Sequence, residues 1–151
     1  MVPSPQKILV VEDDDIDKLL TERALAKAAA DLSVTFARDG EEAIHFMKQF
    51  DRSSPEPERQ PPVLLLLDLK MPRVDGFQVL EWLQRFPAHR PGLVVVLTSS
   101  SEPSDLKRAQ ELGSDLYKVK PHRHVEFVKI VEEIRSRIVS QPAPPPRTSP
   151  D

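Results

Sequence analysis

The sequence predicts an α/β fold, a five-stranded parallel sheet doubly wound by five helices, and two observations carry that expectation. Strand-like and helix-like patterns alternate along the chain, as they do in α/β domains. The apolar runs at 63–67 (VLLLL) and 93–97 (LVVVL) do not alternate, so both faces of each strand must be covered, which suits the middle of a parallel sheet. Parallel strands also need right-handed crossovers, and these lay helices on both faces. Of the common doubly wound strand orders the expected one is 2-1-3-4-5, a geometry borrowed from known sheets of this kind.

Residues 7–11 (KILVV) form the first buried strand and run into the acidic stretch 12–17 (EDDDID). Helix one is expected over about 14–30, with Ile16, Leu20, Ala24 and Ala28 at helical spacing, Leu19 and Leu25 alongside, and alanines as good helix formers. Residues 33–37 (SVTFA) are β-rich; Asp39 then offers an N-cap, and 41–50 carries Ala43, Ile44 and Met47 on one face. Four prolines among the polar residues 51–62 mark a surface loop before the third strand at 63–67. Helix three, 76–85, has Phe77, Leu80 and Leu83 at helical spacing, and 87–92 breaks the chain. After the fourth strand, 93–97, Ser101 is expected to cap a helix with Pro103 in its first turn, Leu106, Ala109 and Leu112 inward and Gly113 as its stop. Residues 116–119 form the fifth strand, and 124–139 the fifth helix, with Phe127, Val131, Ile134 and Ile138 facing in. The expected organisation is an extension at 1–6, one folded unit at 7–140, and a disordered tail at 141–151 with five prolines and no apolar periodicity.

A chain of 151 residues fits one domain that buries roughly 68–70% of its unfolded surface. There is no cysteine, so no disulfide framework, thiolate nucleophile or thiolate metal site is available. The N-terminus lacks the pattern of a signal or transit peptide, and no apolar run reaches the about 20 residues of a membrane span. A cytoplasmic protein without membrane contact is expected. With Lys+Arg 21 against Asp+Glu 24, the net charge of -3 recruits no nucleic acid directly.

The strand ends carry the chemistry. Glu12 and Asp13 follow strand one, Asp68 follows strand three, Thr98 ends strand four and Lys120 follows strand five, so four segments send polar groups to one rim of the sheet. Singly, each has an ordinary explanation as a turn former, a helix-start charge or a solvated end; together they point to a site. Three converging carboxylates raise one another's pKa unless a cation sits among them. All-oxygen ligands without histidine suit Mg²⁺ better than Zn²⁺. A cation beside a carboxylate, a lysine and a hydroxyl is what an incoming phosphoryl group requires, with Asp68 as nucleophile and an aspartyl phosphate as product. Asp14, Asp15 and Asp17 read as helix-start charge, His122 and His124 as solvated, and His45 as a surface residue.

The motifs ILVVEDD, LLLLDLKMPRVDG, VVLTSS and YKVKP stand in order, and the intervals from Asp68 to Thr98 and from Thr98 to Lys120 match those of one family. Over about residues 7–139 the chain resembles a receiver domain of a two-component response regulator, chemotaxis-regulator-like and with the flavodoxin-like topology. The resemblance implies that Asp68 is the phosphoacceptor. It implies that Mg²⁺ is held by Asp13, Asp68 and the backbone carbonyl of Lys70, with Glu12 acting through metal-bound water. Thr98 and Lys120 would read the phosphate, Tyr117 would be the switch aromatic coupled to Thr98, and the Lys120-Pro121 peptide would be cis. Lys70 and Ser100 occupy positions that tune phosphate lifetime. The stretches KMPRVDGFQVLEWL and LTSSSEPSDLKRAQELG look like the stand-alone receivers that accompany bacterial phytochrome histidine kinases. The implied partners are a sensor histidine kinase, of bacteriophytochrome type by that likeness, a second copy docked through the face of helix four, strand five and helix five, and an unidentified downstream protein.

Three rival readings are weaker. A haloacid-dehalogenase-type phosphatase wants an acid two residues beyond its nucleophile, where this chain has Lys70. A flavin module wants a phosphate loop after strand one, where this chain puts Glu12 to Asp15. A pseudo-receiver, a binding scaffold without phosphorylation, is opposed by the intact set of site residues.

Overall fold

The structure, a computed structural model, describes residues 6–140; the expected proline-rich tail and all but the last residue of the expected extension at 1–6 lie outside the described residues. Five strands, β1 (Lys7–Val11), β2 (Ser33–Ala37), β3 (Leu64–Leu67), β4 (Leu93–Thr98) and β5 (Leu116–Val119), form one parallel sheet in the order β2-β1-β3-β4-β5. The expected fold class and strand order are those observed. β3 and β4, the unalternating runs, are buried along their whole length, while β5 at the edge is only half-buried.

The helices are α1 (Asp15–Ala28), α2 (Gly40–Met47), α3 (Gly76–Arg85), α4 (Pro103–Glu111) and α5 (His124–Ser140). Because successive strand residues point to opposite faces, the sheet feeds two cores. On one face Leu9, Val11, Leu65, Leu67, Val94 and Val96 pack with Ala43 and Met47 of α2, Leu80 and Leu83 of α3 and Ala109 of α4. On the other, Ile8, Val10, Leu64, Leu66, Val95 and Leu97 meet Ala24 and Leu25 of α1 and Phe127, Val131 and Ile134 of α5. Each large side chain so buried contributes about 1.5–3 kcal/mol, which makes the three central strands a stiff platform.

Two helix starts differ from expectation. Asp14 caps α1 from outside, its Oδ1 accepting from the backbone N–H of Ile16 and Asp17, each at 2.9 Å. The inward stripe of α1 is Thr21, Ala24 and Leu25, whereas Ile16 is 70% and Leu19 45% exposed. Residues spaced by four drift about 40° per step around a helix of 3.6 residues per turn, so Ile16 has rotated off the face that buries Ala24. α4 is capped at Glu102 rather than Ser101, and of the three residues expected to face inward Ala109 is buried and Leu112 half-buried, whereas Leu106 is 37% exposed. Pro103 sits at the first helical position, where its missing N–H leaves no donor unpaired. Ser100 supplies the side-chain contact instead, accepting from Glu102 N at 3.3 Å and donating to Asp105 Oδ2 at 2.6 Å.

Candidate functional site

Parallel pairing brings the sequence-distant acids together. Val11 lies opposite Leu67, and Leu67 opposite Val96, so the chain leaves β1 and β3 side by side at the carboxyl edge. The ladder runs on past the strands: Glu12 N donates to Ala37 O at 3.0 Å, Asp68 N to Val11 O at 3.2 Å and Lys120 N to Thr98 O at 2.7 Å. Glu12, Asp68 and Thr98 are therefore buried at the rim, with Asp13 exposed beside them. Carboxylate oxygens of Glu12, Asp13 and Asp68 lie within 4.8 Å of one another.

The loop beyond Asp68 is locked by close backbone packing. Gly76 N donates to Leu69 O at 3.0 Å, and a Cβ on Gly76 would press into the Asp68 carbonyl and come within 2.8 Å of Leu69 Cα. Only glycine fits there. Asp75 and Gln78 form a reciprocal capping box at 2.9 Å each way, which starts α3 on the next residue. Gly40 N reaches back to Val74 O at 2.9 Å, tying α2 to the same loop. The acid of β3 is thus held by neighbours on both sides.

Lys120 is the counter-charge. Its Nζ lies 3.0 Å from Asp68 Oδ2 and 2.8 Å from Asp17 Oδ2, and it contacts Glu12 Oε1. Burial would lower the amine's pKa, but the bonds to Asp17 and Glu12 and the charge of Asp68 outweigh it, and the group is held above the usual lysine range. Glu12 is pushed up to about 7, first by burial and then by the charge of Asp68, against the lowering effect of Lys120. With one ammonium among several carboxylates, the site favours a further cation.

A second cluster adjoins it. The Tyr117 hydroxyl donates to Ser100 O at 2.9 Å, and Ser100 N approaches Thr98 Oγ1 at 3.4 Å. Lys70 Nζ stands 4.0 Å from the same Asp105 oxygen that Ser100 binds. The expected switch pair and the two expected lifetime positions therefore share one network between β3, β4, α4 and β5. Burial raises the Tyr117 hydroxyl's pKa, so it remains a donor.

One expected feature is corrected: the Lys120–Pro121 peptide is trans. The trans form is ordinarily preferred by about 0.5–1 kcal/mol before proline. No isomer is needed to aim the amine, because the Lys120 backbone is fixed on Thr98 and the four-carbon stem spans the rest. His122 and His124 are exposed and outside these contacts, and His45 lies on α2 in a cleft with Asp39 and Arg73. Sequence reasoning missed two participants, Asp17 and Asp105. Asp17 lies in the first turn of α1, where it reads as ordinary helix-start charge. Nothing local marks Asp105, which reads as ordinary charge in the first turn of α4.

The donor set fits a hard divalent ion: oxygen only, two buried carboxylates, one exposed, and neither histidine nor cysteine in the cluster. Comparisons with known proteins agree with this geometry. Residues 8–132 match the model of the response regulator receiver domain. The response regulator Rcp1 of Synechocystis sp. is 33% identical over 132 residues, covering 87% of this chain and 88% of that one. A probable methanogenesis regulatory protein, FilR2 of Methanothrix harundinacea, is 34% identical over 131 residues, with 87% and 82% covered. Among solved structures, the phosphorylated cyanobacterial phytochrome response regulator RcpA superposes with a TM-score of 0.76 at 30% identity, covering 91% of this chain and 96% of that one. The Mn²⁺-bound form of Rcp1 gives 0.75 at 33%, with 93% and 99% covered. Taken with the acidic rim of a β2-β1-β3-β4-β5 sheet, these likenesses establish that the chain belongs to the response regulator receiver domain family.

Proposed function

We propose that this protein is a phosphoacceptor switch of a two-component phosphorelay, with Asp68 as the group that is phosphorylated. The observation that carries the proposal is the state of Asp68: a buried carboxylate at the mouth of β3, clustered with Glu12 and Asp13 and met by a lysine ammonium at 3.0 Å. In the transfer an Asp68 oxygen forms a bond to phosphorus, the phosphorus–nitrogen bond of the donor phosphohistidine breaks, and the histidine nitrogen keeps the electron pair and takes a proton. Asp13, Asp68 and the Lys70 carbonyl, with Glu12 behind them, would hold Mg²⁺, which would neutralise charge on the phosphoryl oxygens. Lys120 offers an ammonium and Thr98 a hydroxyl to the same oxygens. Tyr117 and Thr98 then act as the switch pair, and Lys70 and Ser100 tune how long the phosphate lasts.

The donor is a sensor histidine kinase, and of phytochrome type: RcpA is described as a phytochrome response regulator, and a bacteriophytochrome response regulator, AtBRR, is 38% identical with a TM-score of 0.67. Among the described residues no helix is long and apolar enough to cross a membrane, which fits a cytoplasmic relay. The chain catalyses only its own phosphorylation and dephosphorylation, and its output is a protein contact made by the α4-β5-α5 face. Exposed Leu106, Val119 and Val125 supply apolar surface there for a second copy. The alternative, a scaffold that is never phosphorylated, leaves the lysine and three carboxylates without a task.

Intact mass after incubation with acetyl phosphate decides between them. The expected result is one added phosphoryl group that requires Mg²⁺ and vanishes in Asp68→Asn. No adduct at early quench times, with Mg²⁺ present, would leave the scaffold reading.

A further inference from the structure

The Lys120 ammonium has three hydrogens to donate and three carboxylates to receive them, but only two of those carboxylates belong to the acidic cluster. Asp17 is the third. Its Oδ2 takes Lys120 at 2.8 Å from the first turn of α1. Two contacts fix Asp17 in place: its N–H donates to Asp14 Oδ1 at 2.9 Å, and its carbonyl accepts from Thr21 Oγ1 at 2.8 Å. Its side chain is 35% exposed, whereas those of Glu12 and Asp68 are 4% and 8% exposed. Hydration therefore satisfies Asp17 in part, and it can hold an ammonium without itself being a ligand of the cluster.

We infer that Asp17 is a positioning residue for Lys120: it takes one of the three bonds the ammonium makes, so that a divalent cation that enters at Glu12 and Asp68 leaves the amine with a carboxylate to hold. Without Asp17 the amine has only Glu12 and Asp68 to bind, and a cation must displace it from both. Removing a negative charge beside the cluster acts in the same direction. The inference rests on the cation-dependent reading of the site given above.

The test is an Mg²⁺ titration of the full chain followed by backbone amide shifts of residues 12–17 in NMR spectra. Asp17→Asn is expected to weaken Mg²⁺ binding by about tenfold, the lower end of losses seen when a group that orients metal ligands is removed. Asp15→Asn deletes the same charge in the same turn outside the Lys120 contacts and should weaken it less than about twofold, since exposed charges are well screened. Asp17→Glu, which keeps the carboxylate, should restore most of the affinity. In a Lys120→Met background the Asp17→Asn effect should shrink to that of Asp15→Asn, because coupled residues are not additive. Equal effects of Asp17→Asn and Asp15→Asn, or an Asp17→Asn effect undiminished without Lys120, would overturn the positioning role while leaving the cation reading intact. Absence of Mg²⁺ binding by the unsubstituted chain would overturn both.

Discussion

Gly76 shows how a residue without chemistry governs the acid beside it. A Cβ there would press so close to the Asp68 carbonyl and Leu69 backbone that any side chain must move one of them. Gly76→Ala is expected to cost about 1–3 kcal/mol, the range of an overpacked core site, and to displace the turn that carries Asp68. Denaturant unfolding should show a lower midpoint at unchanged slope, and acetyl phosphate labelling should slow at a temperature where the variant is still folded. Normal stability and normal labelling together would show that the loop tolerates the methyl. At the same scale, Asp68→Asn removes the proposed nucleophile but keeps the shape and should abolish the mass increment outright.

Among elements, α5 is fastened to the turn after α1 by Arg135, whose Nη2 lies 2.6 Å from Asp31 Oδ2. The guanidinium holds the Asp31 carboxyl below its ordinary value, so the pair's contribution is present above about pH 4 and is lost as pH falls through the depressed value. Asp31→Asn should therefore lower the melting temperature slightly at pH 7, and the gap to the unsubstituted protein should close as the pH falls through the depressed value. The effect is small because both groups face water, and added salt should reduce it further. A gap that persists unchanged in acid would mean that Asp31 acts through something other than its charge. The neighbouring Lys118 and Glu133, 2.8 Å apart, join β5 to the same helix, and this second tie limits what one substitution can do.

At the level of the whole molecule, the sheet separates two tasks. One face, covered by α1 and α5, closes over Phe127, Val131 and Ile134, while the other carries α4 and the Tyr117 network. The proposed contact surface lies at the β5 edge, where the strand is half-buried and Val119 is 45% and Val125 63% exposed. Val119→Glu with Val125→Glu should abolish self-association of the phosphorylated chain, measured by light scattering, without lowering monomer stability. Unaltered association would move the dimer to another face.

Much of this architecture is legible along the chain because its causes are local. Runs such as LLLL and LVVVL can be satisfied only between two layers, Asp39 caps the helix that follows it, and a strand that ends in an acid announces the rim. Glu12, Asp13, Asp68, Thr98 and Lys120 could be named for that reason, and for their intervals. Strand order was not readable from periodicity, which is the same for any arrangement of buried parallel strands. Tertiary structure alone decided that Lys120 meets Asp17 across 103 residues, that Ser100 rather than Ser101 serves α4, and that the peptide before Pro121 is trans. It also decided which side of α1 is buried. Those outcomes depend on sheet register and on how α1 and α5 seat against it, energies that belong to pairs of distant residues and leave no period or cap in the chain itself.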